Sequence, residues 1–198
     1  TTYREKKKNT WNVSGGSIYM NENLVTLSDL NYPEAKNKFD PKHLRIQLEQ
    51  ASLVDVVYSP SEIKGKINNL SANEGEKFVI KEMRGEFILN EDLLETSDFL
   101  IQTANSNILP KVKFTYPSKD DLFKLTKHVN LHIAFDPSNV HADDIFYFMS
   151  NELSGLQDSI PFNKLNFSTN ISGQLPKVII NDLAMNTGIN TSLKMHGQ

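Results

Sequence analysis

Apolar and polar side chains alternate along most of the chain from residue 43 onward. In the first run, Leu44, Ile46 and Leu48 alternate with Arg45 and Gln47. Successive side chains of a β-strand point to opposite faces, so each run predicts a strand with one apolar and one polar face. The runs and the spaces between them predict about ten to twelve strands.

The apolar positions of these runs are expected to lie together on one face of a sheet. The candidates are Leu44, Ile46, Leu48, Phe78, Ile80, Phe87, Leu89, Phe99, Ile101, Val112, Phe114, Leu131, Ile133, Phe135, Leu165, Phe167 and Ile171. The same alternation includes Tyr116, Val129, Thr169, Val178, Ile180, Ile189, Thr191, Leu193 and Met195. Periodicity leaves two interpretations open, a closed β-sandwich core and an open trough whose apolar face meets a ligand.

Turn-forming segments separate the predicted strands and suggest how they are connected. Clusters of Gly, Pro, Asn, Asp and Ser occur at residues 14–16, 59–61, 73–75, 90–92, 105–107, 136–138 and 172–173. Short polar turns between alternating runs are typical of an antiparallel meander. A chain of 198 residues suffices for one domain of sandwich or barrel size. We therefore expect a single β-rich segment over residues 1–198.

Two segments have helical character instead. Ser118 followed by two carboxylates and an apolar run predicts a short helix that ends at about His128. A second helix is expected from about Asp143 to Leu153, with Asp143 or Asp144 as its N-cap. Its apolar content predicts that it covers the end or an edge of the sheet.

Composition narrows the classes of function. The 21 basic and 24 acidic side chains give a net charge of -3, which creates no strong field for nucleic acid. The absence of Cys excludes disulfides, thiolate catalysis and thiolate metal sites. The sequence has no stretch of the roughly 20 apolar residues that a spanning helix needs. It begins without Met or a signal segment, so we interpret it as an internal piece of a longer extracytoplasmic protein.

No arrangement of residues predicts catalysis. His128 and His132 have the spacing of two helical metal ligands, but the alternation around them predicts a strand, and no acidic residue lies between them. The acidic pairs at residues 120–121 and 143–144 are explained by helix capping. There is no Gly-x-Ser-x-Gly motif and no phosphate-binding glycine loop. We expect no enzyme activity, no metal and no cofactor.

From Phe39 onward, the chain resembles the repeated modules of the TamB and AsmA-like envelope proteins, the translocation and assembly module family, in the form found in Bacteroidota. The resemblance lies in three stretches, residues 39–44, 62–71 and 98–106, the last followed by the strand of residues 112–116. Residues 143–148 resemble the short helix that such proteins insert, and residues 171–173 resemble a returning strand. The similar region covers about residues 39–197 in the right order.

The resemblance implies an open apolar trough of AsmA-like repeats in a periplasmic protein anchored in the inner membrane. Its partners would be phospholipid acyl chains and, through regions outside this chain, an outer-membrane barrel protein. The implied function is phospholipid transport between the two membranes and outer-membrane biogenesis. The family has no catalytic residues, so only the apolar face carries over. The alternative is a closed β-sandwich that binds ligands or mediates adhesion in a bacterial envelope.

Overall fold

The computed structural model describes residues 11–35, 39–74, 78–149, 162–188 and 191–197. These residues form one eleven-stranded sheet and two short helices. Every pair of neighbouring strands is antiparallel. The predicted mainly β fold with two short helices is therefore confirmed.

The strands follow one another across the sheet in chain order, except that two short strands, β6 and β7, share the place between β5 and β8. In chain order the elements are β1 (Val13–Ser28), β2 (His43–Tyr58), β3 (Ile63–Glu74), β4 (Phe78–Leu89), β5 (Leu93–Thr103), β6 (Asn107–Ile108), β7 (Pro110–Thr115), α1 (Lys119–Phe123), β8 (Asn130–His141), α2 (Ala142–Phe148), β9 (Lys164–Gln174), β10 (Lys177–Asn186) and β11 (Ser192–His196).

Three predicted turns lie inside strands instead. Residues 14–16 belong to β1, an edge strand that the alternation did not predict and whose side chains are almost all exposed. Residues 136–138 lie in β8, and residues 172–173 lie in β9. An edge strand has less need of an alternating pattern, because neither of its faces is deeply buried. At residues 136–138 the turn-forming residues occupy an irregularity of the strand pair β8–β9.

Both helices have different limits from those predicted. α1 ends at Phe123 rather than near residue 128, because Leu125 adopts a positive φ of 47° that a helix does not allow. α2 begins at Ala142, with His141 as its N-cap; the prediction of an acidic N-cap was wrong. Asp143 and Asp144 instead occupy the first turn, where carboxylates favour a helix start. The predicted second half of this helix, after residue 149, lies outside the described residues.

Irregular pairings shift the alternation in most of the long strands. In β2, Leu48 pairs with Ala72, and after a register shift Ala51 pairs with Leu70. In the pair β4–β5, Phe87 faces Thr96 on one side of a shift, whereas Met83 faces Ile101 on the other. A bulge adds one residue to a strand, so the apolar face continues with residues of the opposite parity.

Few side chains are fully buried. Among the described residues, the buried apolar ones are Ala51, Ile67, Ala72, Leu100, Tyr116, Leu122, Val129 and Ala142. The one buried cluster, formed by Tyr116, Leu122 and Val129, lies beside α1 at one end of the sheet. The other buried apolar residues, among them Ala51, Ile67 and Leu100, are scattered along the strands and form no second cluster among the described residues.

Candidate functional site

Cross-strand pairs join apolar side chains into rows that cross the sheet. One row runs from Leu89 to Leu94, Phe114 and Leu131, each paired with the next. Directly opposite residues of neighbouring strands share a face, so each row is a continuous apolar strip. A second row joins Val112, Ile133 and Ile171 on β7, β8 and β9. We call the surface formed by these rows the apolar face.

The predicted positions lie on this face. Six strands contribute them: Leu44, Ile46 and Leu48 on β2; Phe78, Ile80, Phe87 and Leu89 on β4; Phe99 and Ile101 on β5; Val112 and Phe114 on β7; Leu131, Ile133 and Phe135 on β8; Leu165, Phe167 and Ile171 on β9. β3 adds Ile67, Leu70 and Ala72, which the alternation did not single out.

All of the predicted side chains are half-buried: none is fully buried and none is fully exposed. Residues of a closed core are mostly fully buried and touch neighbours on all sides. Contacts between the elements described above join neighbours within the sheet almost throughout. Lateral neighbours shield these side chains, and no second sheet of the described residues lies over them.

The opposite face of the sheet is charged. Lys113 lies 3.2 Å from Glu95, and Lys111 lies 2.8 Å from Asp136. His132, directly between Lys113 and Ser172 in the pairing, is exposed on this same face. Ion pairs at a surface contribute little stability, so the main effect of these charges is to keep this face exposed to solvent. We call it the polar face.

α1 closes one end of the apolar face. Its Leu122 packs with Tyr116 and the fully buried Val129, and half-buried Leu89, Leu94, Phe114 and Leu175 surround this cluster. These residues come from the ends of β4, β5 and β7 and from the turn between β9 and β10. The helix therefore ties several strands together at the end where they turn.

The carboxylate of Asp121 holds together the segment from Ser118 to His128, which we call the α1 loop. Asp121 accepts hydrogen bonds of 2.6 Å from both the Ser118 and Thr126 hydroxyls, and it lies 3.2 Å from Nδ1 of His128. These interactions, led by the hydrogen bond from Ser118, lower the pKa of Asp121 to about 2. The Ser118 oxygen also accepts from the Asp121 backbone N–H, as an N-cap does.

α2 closes the opposite end with an aromatic cluster. Phe78 stacks on Tyr147 at 5.4 Å and meets Phe148 edge-on at 4.8 Å, while Phe39 lies 5.0 Å from Phe148. The Tyr147 hydroxyl donates a hydrogen bond to Glu74 at the end of β3. Aromatic pairs add about 0.5–1.5 kcal/mol each to their burial. This cluster fixes the last turn of α2 over the ends of β3 and β4.

Asp40 positions the segment that brings Phe39 to α2. Its carboxylate accepts from the backbone N–H groups of Ala35 at 2.8 Å and Lys42 at 3.0 Å, and it lies 3.0 Å from Nδ1 of His43. These groups, led by Ala35, lower the pKa of Asp40 to about 2. The adjacent Phe39 backbone N–H donates to the carbonyl of Tyr147 at 3.1 Å.

Asp144 anchors the start of α2 to the turn after β5. The Thr103 hydroxyl donates to its carboxylate at 2.6 Å, and the Ser106 hydroxyl donates to the same oxygen. Both hydroxyl residues are buried, and Ser106 also accepts from the backbone N–H of His141. Three elements of the fold are joined through one carboxylate, which explains why an acidic residue stands at this position.

An apolar cavity of about 190 Å³ lies beside α2. Its lining consists of Phe39, Leu44, Ile46, Ala72, Asn73, Glu74, Phe78, Ile80 and Phe148. The alternation predicted Leu44, Ile46, Phe78 and Ile80 as apolar positions but not the cavity. The contributions of Phe39 and Phe148 follow no strand period, and only their place in the fold brings them there.

The described residues contain no arrangement for metal catalysis. No group of three or more His, Asp or Glu side chains in the described ranges could hold a metal ion. His128 is bonded to Asp121 beside α1, whereas His132 lies on the polar face, so the two histidines with ligand spacing do not converge. Within the same ranges, no helix has both the length and the apolar character required to cross a membrane.

Comparison with known proteins identifies no relative of this chain. The chain matches no protein-family model, no curated protein and no solved structure. The apolar face and the two ends that close it are therefore the features of the molecule that indicate its function.

Proposed function

We propose that the chain is a segment of a periplasmic protein of the TamB and AsmA-like type, and that its apolar face carries phospholipid acyl chains. The segment would support phospholipid transport between the inner and outer membranes and outer-membrane biogenesis. The single observation that carries the proposal is a continuous apolar face, half-buried and uncovered by a second sheet, on a sheet whose other face is charged.

The physical basis is passive transfer of hydrocarbon along apolar side chains. Each methylene group that leaves water contributes about 0.8 kcal/mol, and the side chains of rows such as Val112, Ile133 and Ile171 offer it apolar contacts. The phosphate headgroup would remain in water beyond the apolar face. Because α1 and α2 close the two ends of the strands, the open direction runs across the strands, from row to row.

The bulges support a curved sheet. Register shifts occur in the strand pairs β2–β3, β3–β4, β4–β5, β8–β9 and β9–β10. A bulge bends its strand and increases the local twist, and a series of bulges across neighbouring strands curls a sheet. We infer that the curl makes the apolar face the inside of an open trough.

The alternative, a closed β-sandwich that binds ligands or mediates adhesion, requires a second layer over the apolar face. The absence of such a layer among the described residues, together with the half-buried state of Ile133, Phe135 and Phe167, favours the trough. The proposed role needs no catalytic residue, cofactor or nucleic acid. An inner-membrane anchor and an outer-membrane barrel partner would involve regions outside this chain.

Site-specific photo-crosslinking in the full-length protein in cells tests the proposal. A photoreactive residue at Ile133 or Phe167, both on the apolar face, is expected to capture phospholipid. The matched controls are His132 and Asn166, the preceding residues of the same strands, which are exposed on the polar face. Labelling of both faces to the same extent, or of neither, would remove the basis for a one-sided lipid path.

A further inference from the structure

We propose that the cavity beside α2 is a binding site for the methyl end of an unbranched alkyl chain. This inference rests on the proposed function and adds a defined binding site for one part of the lipid. The floor of the cavity belongs to the apolar face, because Leu48 pairs with Ala72 and Ala72 pairs with Ile80. A chain lying on the apolar face can therefore enter the cavity without crossing a polar surface.

The walls of the cavity are held in place by the aromatic cluster. Phe78 and Phe148 lie 4.8 Å apart at a near-perpendicular angle, and Phe39 is fixed by its backbone hydrogen bond to Tyr147. Phe148 is itself 46% exposed, so this wall of the cavity borders solvent. A site built from rings that restrain one another loses little freedom when it is filled.

The lining selects an apolar group without hydrogen-bonding needs. Its carboxylate, that of Glu74, already accepts a hydrogen bond from Tyr147, and the Asn73 side chain donates to Glu49. A polar headgroup would lose its water here without gaining partners, which is costly. The volume of about 190 Å³ also limits the occupant, since an apolar cavity of about 150 Å³ accepts benzene. It holds the end of a chain and not a whole lipid.

The test uses the purified chain and palmitate labelled with carbon-13 at its terminal methyl group. Isotope-filtered nuclear Overhauser spectra report which protein protons lie close to that methyl group. We expect contacts with the rings of Phe78 and Phe148. Ala72→Phe, which fills the cavity from its floor, should abolish these contacts and lower the affinity for palmitate roughly tenfold, as expected when about two methylene groups stay in water.

Ala134→Phe is the matched control, because Ala134 pairs with Lys111 and Asn170 on the polar face of the same sheet. It should leave both the methyl contacts and the affinity unchanged. The contacts in the unsubstituted chain decide the matter even if Ala72→Phe fails to fold. Contacts only with residues such as Ile133 or Ile171 would overturn the cavity site and leave the proposed function standing. No binding of palmitate at all would overturn both.

Discussion

Ile133 is the residue that best separates an open apolar face from a closed core. It pairs with Val112 and Ile171, outside both the cluster beside α1 and the cavity beside α2. We expect Ile133→Asp to lower the free energy of unfolding by about 1–2 kcal/mol, the value of the lost apolar contacts, because the carboxylate still reaches water. Chemical denaturation of the purified variant measures the change.

The control for this substitution is His132→Asp on the polar face of the same strand, next to Lys113. It should leave the free energy of unfolding nearly unchanged. A loss of several kcal/mol at Ile133, enough to unfold a domain of ordinary stability, is the result expected for a carboxylate in a closed core, and it would contradict the open face.

Asp121 makes the α1 end sensitive to acid. Its pKa is lowered from 3.8 to about 2 in the folded chain, so the ionised carboxylate stabilises the fold above pH 3.8. This contribution is lost as the pH falls from 3.8 towards 2. We expect Asp121→Asn to be less stable than the unsubstituted chain at neutral pH, with the difference shrinking over that acid range. Thermal unfolding as a function of pH measures the difference.

Asp120→Asn provides the comparison, because the Asp120 carboxylate is 81% exposed and lies 3.1 Å from the ammonium group of Lys124, which is itself exposed. It should retain the stability of the unsubstituted chain at neutral pH and its loss in acid. An Asp121→Asn variant with the same pH profile as the unsubstituted chain would show that Asp121 does not fix the α1 loop.

The pairing of β4 with β5 depends on a glycine at its bulge. Gly85 has a φ of 145°, and a Cβ there would lie 2.4 Å from the Phe99 ring and 2.8 Å from the Phe99 Cα. Gly85→Ala is therefore expected to cost at least about 2 kcal/mol of stability, through backbone strain and the clash. At Gly65 the φ is ordinary and the nearest atoms are 3.4 Å away, so Gly65→Ala should cost clearly less.

Denaturation of the two glycine variants compares these costs. Adding Phe99→Ala to Gly85→Ala should restore only part of the stability, because the clash with the Phe99 backbone remains. Equal stability of Gly85→Ala and Gly65→Ala would mean that the bulge is not strained at Gly85.

The attachment of α2 depends on Asp144. Asp144→Ala leaves the buried Thr103 and Ser106 hydroxyls without their acceptor, so we expect a loss of about 1–3 kcal/mol for each hydroxyl. Asp143→Ala, one residue away, removes a carboxylate that is 79% exposed and should cost less than about 1 kcal/mol. Hydrogen exchange of the α2 amides should accelerate in the first variant and not in the second.

At the level of elements, the strands were more predictable than their ends and irregularities. Alternation predicted β2, β4, β5 and β7 to β11, because one face of each strand is apolar in the sequence. It missed β3, and it missed β1, whose exposed edge position does not require alternation. It also predicted a turn where residues 136–138 form a bulge within β8. The helix predicted here was longer than α1. Its capping residues mark where a helix begins, whereas no residue pattern predicts the positive φ of Leu125, which prevents the helix from continuing.

For the whole molecule, the sequence predicted which side chains form the apolar face but not how that face is closed. The period of two shows which residues of a strand share a face. The sequence could therefore predict the side chains that form the rows from Leu89 to Leu131 and from Val112 to Ile171. The contacts of Phe39 with Phe148 and of Thr103 with Asp144 join distant parts of the chain. No local pattern encodes such pairs, and the cavity that they frame was therefore missed.

The most direct test of the lipid-carrying face is a spin-label scan along β8, made possible by the absence of native Cys. Single cysteines from residue 131 to 140 would be spin-labelled, and their spectra compared with and without a monomeric short-chain phospholipid. We expect immobilisation at residues 131, 133 and 135, and then at 138 and 140, because the bulge changes the parity of the apolar face between Phe135 and Ser138. Immobilisation at 132, 134, 137 and 139 to the same extent, or at no position, would contradict the account.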